Sequence, residues 1–130
     1  MSRIQFMTMA VPAKDKPVVT ADPAWELLPH HVHELRQSAE PLLLLDVRHE
    51  VEWELGKISG ALLIPLDELA QRLEELVHWR RKRVVVYCRS GIRSLQAVEL
   101  LRENGFEIVH SMAGGIVAWG ELIDPSVAWW

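Results

Sequence analysis

The sequence predicts one α/β domain built on a small, mostly parallel central sheet with helices on both faces. Two observations carry that prediction. Residues 42–47 and 84–87 are short, almost uniformly apolar runs, the pattern of strands that are covered on both sides. The segments between and after them show helical apolar spacing, so strands and helices alternate at short intervals. A length of 130 residues suits a single domain, and an apolar share of 49% is enough for its core.

Residues 1–20, with Pro12, Pro17 and the run Lys14-Asp15-Lys16, have neither a helical nor an alternating period. They read as a mobile arm, with a pairing segment near Val18 and Val19, and residues 21–130 read as the domain. Residues 25–28 suit a short strand. Pro29 fits the first turn of a helix whose apolar face, Val32 and Leu35, runs to about Ser38. After the core strand 42–47, residues 49–55 make one or two helical turns, with Gly56 as a left-handed cap. Residues 61–64 are a second strand, closed by Pro65. Leu66, Leu69, Leu73, Leu76 and Val77 share one face of a continuous helix, opposite Glu68, Arg72 and Glu75, with Asp67 capping its start.

Residues 80–83 form a solvated basic turn that also offers a docking patch to an acidic partner. The β-branched run 84–87 is a third core strand and leads straight into Cys88. Residues 94–104 read as a helix with Leu95, Ala97, Val98 and Leu101 inward, stopped by Gly105. Residues 106–109 are a further strand, and Gly114-Gly115 opens a last helix through about Leu122.

Several classes of function are disfavoured by composition. With 14 basic against 18 acidic residues the formal charge is −4, so no broad basic face awaits a nucleic acid. No apolar run approaches the ~20 residues of a membrane span. The N-terminus shows no continuous hydrophobic stretch ahead of a cleavage site, which leads to the expectation of a cytoplasmic protein. Cys88 is the single cysteine, so an internal disulfide and a multi-thiolate site are both excluded.

The chemistry concentrates in Cys88-Arg89-Ser90-Gly91-Ile92-Arg93-Ser94. This loop leaves the C-terminal end of a buried strand and enters a helix, the edge at which open α/β sheets bind ligands. Gly91 permits a tight curl, so that successive N–H groups between Arg89 and Ser94 point at one centre as an anion-binding nest, aided by the helix dipole. A thiol in that cradle, with Arg89 and Arg93 nearby, has its nucleophilic thiolate form stabilised. A lone cysteine after a valine-rich strand is also a common inert core residue. Such a residue has no need of two arginines and a permissive glycine directly after it.

At this point the chain resembles the single-domain rhodaneses, the sulfurtransferase family, over about Trp25 to Leu122. Leu44-Leu45-Asp46-Val47-Arg48 is similar to the family's early strand. Glu52-Trp53, Gly56-Lys57-Ile58-Ser59-Gly60-Ala61 and Ile64-Pro65 match its second signature. The Cys88–Ser94 loop matches its active loop, and Gly114-Gly115 with Ala118-Trp119 the closing motif. The resemblance implies a rhodanese-like fold and a Cys88 persulfide: the thiolate takes the sulfane sulfur of thiosulfate or another small anionic donor, and a thiol or carrier-protein acceptor collects it. No metal and no organic cofactor are implied. Arg93, with a weaker share for Arg89, is assigned to the donor's oxyanion part, and Ser90, Gly91, Ile92 and Ser94 to the cradle.

Asp46 and Arg48 read as a pair that orients the loop, since a buried Asp normally has a partner. Lys57 stands where the family often shows His, so no role is transferred to that side chain. Trp53 and Trp119 read as packing residues. His30 and His33 share a helix face, yet no Cys is near to complete a tetrahedral metal set. Trp129-Trp130 implies either a folded-back tail or a partner contact.

Two rival functions share parts of the pattern. Cysteine-dependent phosphatases and arsenate reductases use a loop one residue longer, and Ser94 fills the position of their anion-binding arginine. A sulfur-carrier, sensing or protein-binding module would keep Cys88 but show a stable modified cysteine without turnover.

Overall fold

The computed structural model describes residues 18–127. In chain order these form β1 (Glu26–Leu27), α1 (Pro29–Gln37), β2 (Leu42–Asp46), α2 (Glu50–Leu55), β3 (Leu62–Leu63), α3 (Leu66–Leu69), a 3-10 helix (Leu73–Trp79), β4 (Arg83–Tyr87), α4 (Ile92–Glu103), β5 (Ile108–Met112) and α5 (Gly115–Leu122). The strands join in the order β1-β5-β4-β2-β3, and every pairing is parallel. Parallel strands need crossovers, and the helices that supply them cover both faces of the sheet.

Alternation along the central strands divides the core in two. Leu43 and Leu45 of β2 and Val84 and Val86 of β4 face Ala97, Val98 and Leu101 of α4 together with Leu69 and Leu76. Leu44, Val85 and Tyr87 face the opposite way, onto Val32 of α1 and Ile116 and Trp119 of α5. Trimming one of these enclosed leucines to alanine costs about 2–5 kcal/mol. The register sets Asp46 beside Tyr87, so β2 and β4 end together and release their loops at one edge.

Several elements differ from the expected ones for identifiable reasons. The helix expected across residues 66–77 is broken: α3 stops at Leu69, and a 3-10 helix follows. Leu73, Leu76 and Trp79 are three apart, and a helix of three residues per turn stacks them in one line against the core, with Leu76 fully buried. Val77 falls outside that line and is exposed. Pro65 takes the cap position, so Asp67 lies inside the first turn, where its charge meets the helix dipole. Gly56 has φ 166°, which is extended backbone and not a left-handed cap.

The strand expected at 61–64 pairs only over Leu62–Leu63, although the Ile64 N–H still donates to the Asp46 carbonyl. Helix α4 begins at Ile92 because Gly91, at φ 109°, serves as its cap. Gly105 turns the chain at φ 88°, Phe106 plugs the core, and β5 starts only at Ile108. Arg83 belongs to β4 and pairs with Glu40 at 2.7 Å, whereas Arg81 reaches Glu107 only at 3.8 Å. Val18 and Val19 form no strand; Val18 is exposed and Val19 lies against Gly114. Residues 1–17 and Trp129-Trp130 lie outside the described residues. No described helix is long and apolar enough to cross a membrane.

Candidate active site

Cys88 follows the last residue of β4 and lies at the floor of its loop, only 1% exposed. The loop closes over the sulfur: the Gly91 N–H donates to Sγ at 3.1 Å and the Ser94 N–H at 3.4 Å. Both donors need the left-handed Gly91, whose conformation L side chains rarely adopt. Sulfur therefore lies ahead of the first turn of α4, against N–H groups that have no partner within the helix.

A hydroxyl chain completes the floor. Ser94 Oγ is 3.3 Å from Cys88 Sγ and 2.7 Å from Ser111 Oγ, and both serines are fully buried. Sulfur that carries negative charge has no proton to give, so Ser94 then donates to Sγ and accepts from Ser111. Ser111 reaches this point from β5, where its neighbour across the ladder is Val86.

The loop is fixed from behind by α5. The Ile116 N–H donates to the Cys88 carbonyl at 2.9 Å, and the Val117 N–H to the Arg89 carbonyl at 3.1 Å. Contact is so close that a Cβ at Gly115 would lie 2.4 Å from the Arg89 carbonyl oxygen and 2.6 Å from that of Cys88. Gly115, read in the sequence only as part of a helix start, is the residue that admits the loop to the end of α5.

Two ion pairs border the loop. Arg48, 2% exposed, donates from Nε and Nη2 to the Asp46 carboxylate at 2.8–3.0 Å and also to the Glu52 and Gly56 carbonyls. The Asp46–Arg48 pair thus ties the end of β2 to the interior of α2 at Glu52 and to Gly56 just beyond it. Tyr87, whose ring faces Arg48, accepts the Ile58 N–H, and burial with Asp46 nearby pushes its phenol well above the usual tyrosine range.

The second pair is Arg93 with Glu52, joined at 2.7 and 2.9 Å through both carboxylate oxygens. It is part-buried at the rim, with side-chain exposures of 29% and 18%. Hydrogen bonding from Arg93 holds the Glu52 carboxyl down to about 2. Arg93, expected from the sequence as the main anion ligand, is thus already engaged. Arg89 and Ser90 are exposed, Ile92 is 71% exposed on the loop itself, and no ion pair of Arg89 occurs among the described residues.

Other side chains lie elsewhere. Lys57 rests over the Trp53 ring, and Trp119 is enclosed in the core with the His33 ring edge-on against it. His30 stacks on His31. No described group of three or more His, Cys, Asp or Glu side chains is arranged to hold a metal ion.

Residues 28–122 match the family model described as a rhodanese-like domain. A sulfurtransferase of Allochromatium vinosum is 39% identical over 91 residues, which is 70% of this chain and 83% of that protein. The probable adenylyltransferase/sulfurtransferase MoeZ of Mycobacterium tuberculosis is 35% identical over 102 residues, 78% of this chain; the chain spans only about a quarter (26%) of that longer relative. Among solved structures, a rhodanese-related protein from Thermoplasma volcanium superposes with a TM-score of 0.70 at 30% identity, covering 82% of this chain and 99% of that one.

Proposed function

The chain belongs to the rhodanese-like family, and we propose that it transfers sulfane sulfur through a persulfide on Cys88. The observation that carries this reading is the convergence of the Gly91 and Ser94 N–H groups and the Ser94 hydroxyl on one sulfur atom. Such an array favours negative charge on sulfur, which is the form that attacks. With thiosulfate, the Cys88 thiolate bonds to the outer sulfur, the S–S bond of the donor breaks, and sulfite leaves with that electron pair. The product, Cys88–S–S⁻, holds its charge within the same cradle. An acceptor thiolate or cyanide then attacks the outer sulfur and returns Cys88 as thiolate.

Burial of Cys88 sets a steric condition on the donor. A terminal sulfur atom can be presented to the floor of the loop while the rest of the donor stays outside, near Arg89 and Ile92. That condition favours sulfur transfer over phosphoryl transfer, in which a tetrahedral phosphorus with all its oxygens must approach Sγ.

Intact-protein mass spectrometry tests the reading. Thiosulfate or a low-molecular-weight persulfide should add one sulfur atom to the peptide that contains Cys88, and cyanide should remove it as thiocyanate. Cys88→Ser should abolish both steps while the circular dichroism spectrum stays that of the wild type. A Cys88 that loads but turns over no acceptor would support the carrier reading instead, and turnover in Cys88→Ser would end the assignment.

A further inference from the structure

The bidentate contact between Arg93 and Glu52 carries an inference about the donor, which rests on the sulfur-transfer reading above. We propose that Glu52 determines donor specificity: by engaging Arg93 at the mouth of the Cys88 loop, it disfavours dianionic thiosulfate and favours the persulfide of an organic thiol.

Charge arithmetic at the rim is the first argument. Of the two guanidinium groups in the loop, Arg93 is matched by a full carboxylate at 2.7 and 2.9 Å. Glu52 keeps that charge at any pH near neutrality, since its carboxyl titrates at about 2. The Asp46 carboxylate is likewise matched by Arg48. Arg89 is left as the uncompensated cation of the loop, among the described ion pairs. Thiosulfate brings two negative charges and expels sulfite, also a dianion. The reacting group of a persulfide R–S–SH brings at most one negative charge, and in cysteine persulfide the ammonium offsets the carboxylate: the S–S bond breaks, the outer sulfur bonds to Cys88 with its hydrogen, and the R–S⁻ sulfur leaves with one. A single free guanidinium matches the second donor better than the first.

Apolar surface is the second argument. Ile92, next to Arg93, is 71% exposed on the loop. Thiosulfate has no carbon to set against this side chain, whereas the skeleton of an organic persulfide does.

The test measures the initial rate at which Cys88 gains sulfur in the full chain, by mass spectrometry, from thiosulfate and from cysteine persulfide. Wild-type protein should load faster from cysteine persulfide. Glu52→Gln, which keeps the shape and removes the charge, should speed thiosulfate loading and raise the thiosulfate-to-persulfide ratio on the order of fivefold. Ile92→Ser, at an exposed position that the fold does not need, should raise the same ratio by slowing persulfide loading. A ratio unmoved in Glu52→Gln, or thiosulfate loading slowed there, would overturn the inference and leave Glu52 a bracing residue only. Equal wild-type loading from both donors, with no effect of Ile92→Ser, would overturn it even if Glu52→Gln failed to fold. Absence of loading from either donor would overturn the sulfur-transfer reading itself, and this inference with it.

Discussion

Asp46–Arg48 and Glu52–Arg93 are the same chemical pair in opposite settings. The first is enclosed, with exposures of 0% and 2%, and every hydrogen bond of its guanidinium goes to the end of β2 or to backbone carbonyls of the α2 segment. The second is part-buried at the rim, and its one backbone contact is local, the His49 N–H donating to the Glu52 carboxylate at 2.9 Å. Enclosure makes the first a clamp, because a buried charge that loses its partner is costly. Partial exposure makes the second an electrostatic setting, worth less to stability than the first yet felt by any anion that approaches. The two act in series: Arg48 holds the carbonyl of Glu52, and the side chain of Glu52 holds Arg93.

Arg48→Ala should produce the largest change. It leaves Asp46 buried and unmatched, for an expected loss of about 3–5 kcal/mol, read as a shift of the urea midpoint. Sulfur loading should fall even where the variant remains folded, because the α2 segment loses two carbonyl anchors. A loss below about 1 kcal/mol would place this pair in the same class as the rim pair.

Arg93→Ala should be far milder in stability, about 0–1 kcal/mol, but should act on chemistry. It exposes the Glu52 carboxylate to incoming donors, so the KM for thiosulfate should rise more than that for cysteine persulfide. Equal changes for both donors would show that Arg93 shapes the loop rather than its charge.

The smallest expected effect belongs to a neutral contact, which sharpens the comparison by removing charge from it. Ser111→Ala takes away one hydrogen bond two atoms from the sulfur, worth about 0.5–1.5 kcal/mol. Alkylation of Cys88 by iodoacetamide should slow by up to about tenfold, with rescue in Ser111→Thr. Unchanged alkylation would mean that Ser94 alone sustains the sulfur.

The sequence disclosed the parts of this site that are local and concealed the parts that are assembled. Cys88 through Ser94 could be recognised because a strand, a permissive glycine and a helix start are consecutive. Asp46 and Arg48 are two residues apart, so their pairing was legible as well. Glu52 was visible as a motif residue next to Trp53, but its partner is Arg93, far along the chain, and only the fold brings α2 to the loop. Ser111 lay beyond the strand expected at residues 106–109, so nothing in that reading pointed to it; the strand in fact runs on to Met112. The broken helix at residues 66–79 was misread because three-residue spacing from Leu73 to Trp79 serves a 3-10 helix as well as an α-helix. Gly56 was misread because a glycine after a helix suggests a left-handed cap, whereas here its carbonyl answers to Arg48.

The close approach of Gly115 to the Cys88 and Arg89 carbonyls carries one more consequence. Those carbonyls accept from the first turn of α5, which anchors the backbone of Cys88 and the start of its loop to that helix. The last helix is therefore mechanically in line with the nucleophile. A displacement of α5 would be passed to the Cys88 and Arg89 carbonyls through two hydrogen bonds, and to the sheet beneath through Ile116 and Trp119.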